Sequence, residues 1–404
     1  MAVVLLGTFD TKGNEFRFVR ELLQALNIAT LTIDAGSQQP PAFAPDVSRE
    51  QVFKAAGTTI DAILRTGDRG KAVEAAAAGA AKIVLQLHQQ GKVDGILGLG
   101  GSAGTVIATS AMRALPFGIP KLRVSTLASG QVKPYVGVRD ILMMHTVVDI
   151  IGLNRISRTV LSNAAHAMAG MVSHPASAAA ATDRPLLAAT MFGVTTPCVS
   201  EAQKQLEGAG YEMLVFHATG TGGMTMESFI RDGLVQGVLD ITTTELADEL
   251  VGGILGAGKD RLTAAAMKGI PQVISLGALD MVNFGPRDTV PEKFKARRFY
   301  QHNATVTLMR TTPEENDKLG KEIAEKASAA SGPTAVLIPL RGVSAIDREG
   351  QPFWWPEADH ALFQSIRNWI GPMVKLVELD LHINDPQFAT QAATLLQSML
   401  ASGA

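Results

Sequence analysis

Residues 93–105 read VDGILGLGGSAGT, and this stretch decides the fold. The apolar run that ends at Leu99 predicts a buried β-strand, and the glycines after it predict a tight turn into a helix that reaches about Leu115. A strand that enters a helix through a glycine-rich turn is typical of parallel α/β sheets. The sequence therefore predicts an α/β protein.

The N-terminus has the same order of elements. An apolar run over residues 2–6 leads into GTFDTKG at residues 7–13, a helical pattern over residues 15–26 and a further strand pattern over residues 29–33. This βαβ rhythm predicts a parallel sheet that is buried on both faces.

The second half of the chain repeats the pattern, with a strand predicted over residues 186–192, a turn at 193–197 and a helix that ends near Glu207. Three short matches indicate an internal duplication, although such matches also arise by chance between unrelated α/β domains. They pair Gly7 with Gly193, VDGIL (93–97) with VQGVL (235–239), and GIP (118–120) with GIP (269–271).

The low-complexity stretch HPASAAAATDRP at residues 174–185 reads as a linker between the two halves. We predict an N-terminal lobe over residues 1–182 and a C-terminal lobe over residues 183–404, with the last strand and helix packed on either lobe. The predicted fold class is α/β, with two Rossmann-like, doubly wound lobes of mostly parallel sheet and a ligand cleft between them.

Composition excludes several classes of function. The 404 residues carry a formal net charge of −2, which gives no field to hold a nucleic-acid backbone. No apolar stretch approaches the roughly 18 residues that span a bilayer. Cys198 is the single cysteine, so no internal disulfide can form, and a packed, inert thiol is the favoured interpretation. We expect a cytoplasmic protein that binds neither nucleic acid nor membrane.

Polar, glycine-rich loops follow several of the predicted strands, where parallel sheets bind their ligands. The loop over residues 98–105 favours phosphate binding, and a purely structural tight turn is the alternative. The loop over residues 7–13 suits phosphate with Mg²⁺, or is an ordinary helix start. The second half offers loops at 217–225 and 240–245, and the strands after the two GIP motifs end in loops at 125–130 and 275–280. The candidate ligand-binding residues are Gly7, Thr8, Asp10, Thr11, Lys12, Gly100, Gly101, Ser102, Thr105, Ser125, Thr126, Gly220, Gly222, Gly223, Thr242, Thr243 and Thr244.

With these loops, the chain resembles the Tm-1-like ATP-binding family over nearly its whole length. The resemblance rests on residues 7–13, 98–105, 121–130, 149–154 and 277–285. It implies a two-lobed Rossmann-like architecture, ATP with Mg²⁺ as ligand, and a homodimer. It is also compatible with a separately encoded PEP-hydrolase-like partner. It does not indicate which reaction the protein catalyses.

Three hypotheses about function follow. The first is an ATP-dependent enzyme of small-molecule metabolism, such as a kinase, ligase or phosphotransferase. In it, ATP lies on the Thr8 and Gly100 loops and the second substrate on the Gly222 and Thr242 loops. Asp10 or Asp240 would then hold Mg²⁺ or act as a catalytic base. The second is a nucleotide-responsive binding protein without turnover, and the third is an enzyme that uses a sugar nucleotide or a dinucleotide.

Overall fold

A computed structural model describes residues 2–174 and 184–402 of the chain. The chain divides into two compact units, residues 1–180 and 181–404. The predicted boundary between residues 182 and 183 lies outside the described residues. Each unit is built on a parallel β-sheet with helices, so the predicted fold class of two Rossmann-like α/β units is confirmed.

Unit 1 contains a five-stranded parallel sheet in the order β2-β1-β3-β4-β5. Its first strand is apolar throughout because both faces are covered. Val3 and Leu5 pack with residues of α1 and α7, whereas Val4 and Leu6 pack with residues of α2, α4 and α5. The elements of unit 1 are β1 (Ala2–Gly7), α1 (Phe9–Ala25), β2 (Thr30–Asp34), α2 (Arg49–Ala55), α3 (Ile60–Thr66), α4 (Arg69–Gln89), β3 (Val93–Gly100), α5 (Ser102–Ala114), β4 (Lys121–Ser125), α6 (Lys133–Val136), β5 (Leu142–His145) and α7 (Arg155–Ser173).

Unit 2 contains a six-stranded parallel sheet in the order β14-β13-β9-β8-β6-β7 and a three-stranded antiparallel sheet in the order β10-β12-β11. The last strand pairs with β13, and the last helix packs against α8, so both closing elements belong to unit 2. The elements are β6 (Leu186–Met191), α8 (Thr196–Gly208), β7 (Glu212–His217), α9 (Thr221–Arg231), β8 (Gly237–Thr242), α10 (Glu245–Val251), α11 (Ala264–Lys268), β9 (Gln272–Gly277), β10 (Met281–Phe284), β11 (Phe299–Asn303), β12 (Val306–Arg310), α12 (Pro313–Ser328), β13 (Thr334–Pro339), α13 (Pro356–Trp369), β14 (Lys375–Leu379) and α14 (Pro386–Ser402).

Two elements differ from the sequence pattern. Helix α1 begins at Phe9 and not near Glu15, since it continues through a non-helical residue at Lys12. In unit 2, the outer strands of the antiparallel sheet have no clear sequence signal. Strand β10 has four residues, and β11 is polar and largely exposed, so neither shows a clear alternation of apolar residues.

The strand order reverses once in each unit, between β1 and β3 in unit 1 and between β6 and β8 in unit 2. At such a point the connections leave the sheet in opposite directions, and a crevice opens beyond the carboxyl ends of the two strands. The two reversal points are therefore the first places to look for a ligand site.

Helix packing in unit 1 depends on Gly79, in the middle of α4. A Cβ atom at this position would lie 1.9 Å from the carbonyl oxygen of Val52 in α2. Gly170 in α7 offers a matched control, because a Cβ atom there would meet no atom within 4 Å.

We predict that Gly79→Ala lowers the free energy of unfolding by about 1–3 kcal/mol, because the two helices must separate. Gly170→Ala should raise it by roughly 0.5–1 kcal/mol through higher helix propensity. Urea unfolding followed by circular dichroism measures both, and equal effects of the two substitutions would contradict the close helix crossing.

Candidate functional site

A cavity of about 410 Å³ lies in unit 1, at the reversal point between β1 and β3. Four segments form most of its wall: the loop after β1, the loop after β2, the first turn of α4 and the turn between β3 and α5. The lining residues are Thr8, Asp10, Thr11, Lys12, Ala35, Ser37, Gln38, Arg69, Ala72, Val73, Gly100, Gly101, Ser102, Ala103, Gly104, Ile107 and Asp149.

The turn between β3 and α5 presents main-chain amides to this cavity. Gly100 has a φ of +136°, a conformation that an L-residue with a side chain adopts only under strain. Gly101 is the N-cap of α5, and no side chain caps that helix. The first amides of a helix have no partner within the helix, so this turn offers uncapped donors and the positive end of the helix dipole.

A buried arginine lies directly behind the turn. Arg123, on β4, is fully buried, and its Nη2 donates to the carbonyl oxygen of Gly101 (3.3 Å) and to Oγ1 of Thr105 (3.0 Å). Its Nη1 is buried without a hydrogen-bond partner. A Cβ atom at Gly104 would lie 3.1 Å from Nη2, so the backbone passes close over the guanidinium.

No carboxylate pairs with Arg123 within residues 2–174 and 184–402. Burial lowers the pKa of Arg123 to about 9, so the guanidinium still carries its charge at neutral pH. A buried charge without a counter-ion is costly, and proteins normally pair it. The turn faces the cavity and the positive charge of Arg123 lies behind it, and both favour an anion at this place.

Thr8 and the first turn of α1 supply another part of the wall. Oγ1 of Thr8 and Oγ1 of Thr11 lie 2.8 Å apart, and the ammonium of Lys12 donates to the carbonyl oxygen of Ile150. Oδ2 of Asp10 accepts from the amide of Gln38 at 2.8 Å, whereas its Oδ1 is buried without a partner. This oxygen lies beside Gly36, where a Cβ atom would be 2.6 Å away.

The remaining predicted residues of unit 1 shape the site without lining it. A Cβ atom at Gly7 would lie 2.2 Å from the ring of Phe16, so this glycine serves packing. Thr105 and Ser125 are buried and share a hydrogen bond of 2.7 Å. Oγ1 of Thr126 lies 3.8 Å from the position that a Cβ atom at Gly101 would take.

In unit 2, the glycine-rich loop between β7 and α9 is filled by the chain itself. Oε1 of Glu245 accepts from the amides of Gly220 (2.7 Å) and Gly223 (3.0 Å), at the start of α9. A Cβ atom at Gly223 would lie 2.0 Å from Oε2 of the same carboxylate. Gly222 is equally confined, because a Cβ atom there would lie 1.8 Å from the carbonyl oxygen of His217. An internal carboxylate thus takes the place that an anionic ligand would need.

The same carboxylate belongs to a buried charge network around Arg261. The guanidinium of Arg261 contacts Glu245 (2.7 Å), Asp240 (2.5 Å) and Glu227 (3.5 Å). Burial alone would lower the pKa of Arg261, but the three carboxylates raise it well above its ordinary value. Asp240 also accepts from Thr190 at 2.6 Å. This geometry gives no support to Asp240 as a catalytic base or metal ligand.

The three threonines after β8 are also satisfied internally, and all are fully buried. Thr242 shares a 2.7 Å hydrogen bond with Thr195, Thr243 donates to the carbonyl oxygen of Ser275, and Thr244 lies 3.5 Å from that of Met281. Their hydroxyl groups stabilise the carboxyl edge of the sheet and are not surplus donors. The loop residues of unit 2 are therefore absent from the candidate site that we describe.

Arg123 was not recognised from the sequence, although a signal existed. It stands in KLRVS, a strand that the α/β pattern places inside a sheet covered on both faces. A charged residue at such a position is buried, and buried charges need a partner or a function. Lys121 in the same strand follows this rule, since its ammonium pairs with Asp140.

Three further observations concern the described residues. Nowhere in residues 2–174 and 184–402 do three or more His, Cys, Asp or Glu side chains form a group that could hold a metal. Burial raises the pKa of Cys198 to about 12, which agrees with a packed thiol and not a nucleophile. None of the described helices is long and apolar enough to cross a membrane.

The fold defines a protein of two Rossmann-like α/β units with a polar cavity at the strand-order reversal of the first. Family comparison agrees with this division. Residues 1–177 match the N-terminal domain of the Uncharacterised protein family (UPF0261), and residues 184–400 match the C-terminal domain of the same family. The chain belongs to this family.

Individual relatives extend the result. A UPF0261 protein of Clostridium tetani is 51% identical over 98% of this chain and 98% of its own. The ToMV resistance protein Tm-1(GCR237) of Solanum lycopersicum is 39% identical over 96% of this chain, which spans 54% of that protein. The predicted resemblance to the Tm-1-like family is therefore confirmed at the level of family membership.

Comparison with solved structures does not extend this family assignment. UDP-N-acetylglucosamine 2-epimerase from Rickettsia bellii aligns with 99% of this chain and 96% of its own, at 9% identity and a TM-score of 0.23. A TM-score of this size carries no argument about fold or function.

Arg123 and Arg261 are both buried, but only Arg261 has carboxylate partners, and this difference generates a prediction. We expect Arg261→Met to lower the free energy of unfolding by about 3–5 kcal/mol, because three carboxylates stay buried without their cation. Arg123→Met should change it by less than about 1 kcal/mol, because a desolvated charge without a carboxylate partner is removed. Urea denaturation of both variants measures the difference. An equally large loss for Arg123→Met would assign Arg123 to the fold and not to a ligand.

Proposed function

We propose that the chain binds ATP with Mg²⁺ in the cavity of unit 1, with the phosphates on the turn at residues 100–104. The observation that carries the proposal is Arg123, a buried guanidinium without a carboxylate, behind an uncapped helix start. Amides at a helix N-terminus bind phosphate groups because donors and dipole act together. The arginine adds a full charge at the same place.

Other groups of the cavity fit a nucleotide. Lys12 supplies a second cation in another part of the wall, and Arg69 supplies a third at the start of α4. Ala72, Val73 and Ile107 form an apolar part of the wall that suits a purine base. The polar Ser37 and Gln38, together with the small Ala35, form the wall beside the loop after β2 and suit a ribose.

Asp10 and Asp149 are the residues that would hold Mg²⁺. Mg²⁺ on a nucleotide binds one or two protein carboxylates, phosphate oxygens and water, so it needs no cluster of three protein ligands. Oδ1 of Asp10 is buried without a partner, and Asp149 lines the same cavity. A bound Mg²⁺ would neutralise the phosphate charge and polarise the terminal phosphate. Asp10 thereby becomes a ligand of the metal in this proposal.

A substitution at Gly101 tests whether the turn at residues 100–104 binds phosphate. A side chain at Gly101 points into open space, since a Cβ atom there meets only Oγ1 of Thr126 at 3.8 Å. Gly101→Asp should fold normally and lower ATP affinity by roughly 10- to 100-fold through charge repulsion, whereas the equally large Gly101→Asn should bind markedly better. Isothermal titration calorimetry with ATP, ADP and pyrophosphate measures this.

Each result of that titration supports a different conclusion about the site. Equal affinity of the wild type and Gly101→Asp would remove the turn from the site. Tighter binding of a UDP-sugar or NAD than of ATP would replace ATP by a sugar nucleotide or dinucleotide on the same turn. Release of ADP with candidate acids or sugars would identify an enzyme, and binding without release would identify a nucleotide-responsive protein.

A substitution at Asp10 tests whether this residue is a ligand of Mg²⁺. Asp10→Asn keeps an oxygen for the amide of Gln38 but places an NH₂ group where Oδ1 lies. The affinity for ATP in 5 mM Mg²⁺, a concentration of about physiological order, should fall by roughly 10-fold. Without Mg²⁺ and with EDTA, affinity should stay equal or rise, because a negative charge near the phosphates is removed. An equal loss in both conditions would contradict a metal role for Asp10.

A further inference from the structure

Unit 2 contains a second cavity, of about 260 Å³, at the carboxyl end of β13. The N-terminal half of α13 forms its other wall. Carboxyl ends of parallel strands are the usual ligand positions of such sheets. The lining residues are Leu340, Arg341, Gly342, Trp354, Pro356, Asp359, His360, Phe363 and Arg367.

The buried cluster behind this cavity contains more carboxyl groups than cationic groups. Nη2 of Arg310 contacts Oδ1 of Asp359 at 2.6 Å and Oδ1 of Asp347 at 3.4 Å. The carboxyl group of Asp280 acts on the same cluster, and its Oδ1 is buried without a partner. One buried guanidinium therefore serves three carboxyl groups. Within residues 2–174 and 184–402, Oδ2 of Asp359 accepts no hydrogen bond, although Asp359 is only 8% exposed and lines the cavity.

The arginines of the cavity do not offset this charge, because each already has its own carboxylate. Arg341 forms two hydrogen bonds with Asp380, of 2.8 and 2.7 Å. Arg367 forms two with Glu378, of 2.7 and 2.9 Å. Both pairs are formally neutral, which leaves Asp359 as the lining charge without a full counter-ion.

The remaining wall suits a carbon chain attached to a cation. Trp354 is 44% exposed, and Leu340 and Phe363 contribute apolar surface. A cation close to the face of a tryptophan ring gains about 0.5–2 kcal/mol, according to its desolvation. Asp359 and Trp354 line the same cavity, so a carboxyl oxygen and an aromatic ring are both available to an amine.

We propose that this cavity binds a small organic primary ammonium ion, whose N–H groups donate to Oδ2 of Asp359 and whose carbon chain packs on Trp354 and Phe363. A carboxylate or phosphate ligand is disfavoured, because Arg341 and Arg367 are already neutralised by Asp380 and Glu378. The site lies wholly within unit 2 and does not depend on the nucleotide proposed for unit 1.

Protonation supports this choice. Burial, and then the charge of Asp347, raises the pKa of Asp359 to about 8, and the same causes raise that of Asp280 to about 7. At neutral pH, a proton therefore occupies the position that the ammonium would take. Binding should release this proton, so the affinity should rise about tenfold per pH unit up to pH ~8 and then level off. The charged or titratable groups around Asp359 are Asp280, Arg310, Arg341, Asp347, His360, Arg367, Asp380, Glu378 and His382.

The test uses the full chain and n-butylammonium chloride, with n-butanol and sodium butyrate as uncharged and anionic probes of the same length. Calorimetry at pH 6.5, 7.5 and 8.5, in two buffers of different ionisation enthalpy, measures affinity and proton release. We expect n-butylammonium to bind with a dissociation constant of roughly 10 mM or tighter, as its size allows. It should release about one proton at neutral pH and bind at least tenfold more tightly than either control.

Variants complete the test. Asp359→Asn should fold, since its side-chain oxygen still accepts from Arg310, and should lose at least tenfold in amine affinity together with the pH dependence. Trp354→Ala, at a half-exposed position, should weaken binding about threefold to tenfold without affecting the fold. Asp288→Asn, at an exposed carboxylate away from the cavity lining, should leave binding unchanged.

Any one of three results would overturn the proposal. The first is that n-butylammonium does not bind at roughly 10 mM, and the second is that butyrate or n-butanol binds equally well or more tightly. The third is that folded Asp359→Asn keeps full affinity for the amine. If Asp359→Asn does not fold, the proton release of the wild type and the effect of Trp354→Ala decide the question. Loss of ATP binding by unit 1 would not bear on any of these outcomes.

Discussion

The burial of a guanidinium at the carboxyl edge of a parallel sheet is the constraint on which both units depend. A charge that is removed from water must be paired, because an unpaired buried charge lowers the stability of the fold. Unit 2 pairs Arg261 with Asp240, Glu245 and Glu227, and the main-chain amides of Gly220 and Gly223 share the surplus negative charge. Unit 1 buries Arg123 with neutral oxygen acceptors alone.

This difference separates two sites that look alike in sequence. Both units place a glycine-rich turn at the start of a helix, after β3 in unit 1 and after the edge strand β7 in unit 2. In unit 2, the turn closes on Glu245, so its donors are used and its glycines make room for a carboxylate. In unit 1, the turn at Gly100 and Gly101 faces a cavity, and the charge behind it has no acidic partner.

The sequence predicted the elements well because apolar runs followed by glycine turns are local signals. The first hypothesis placed ATP on the Thr8 and Gly100 loops together, and residues of both loops line one cavity. The sequence could not predict that Glu245 would return to Gly220 and Gly223, because a contact across 22 to 25 residues depends on the packed fold. Nor did it predict the antiparallel sheet of unit 2, whose outer strands are short or polar.

The self-closed turn of unit 2 has a consequence for how that unit is held together. Oε1 of Glu245 ties the start of α9 to the segment that follows β8, so this edge of the sheet keeps its shape without any ligand. A glycine-rich loop is therefore a sign of a binding site only where its amides have no partner inside the protein.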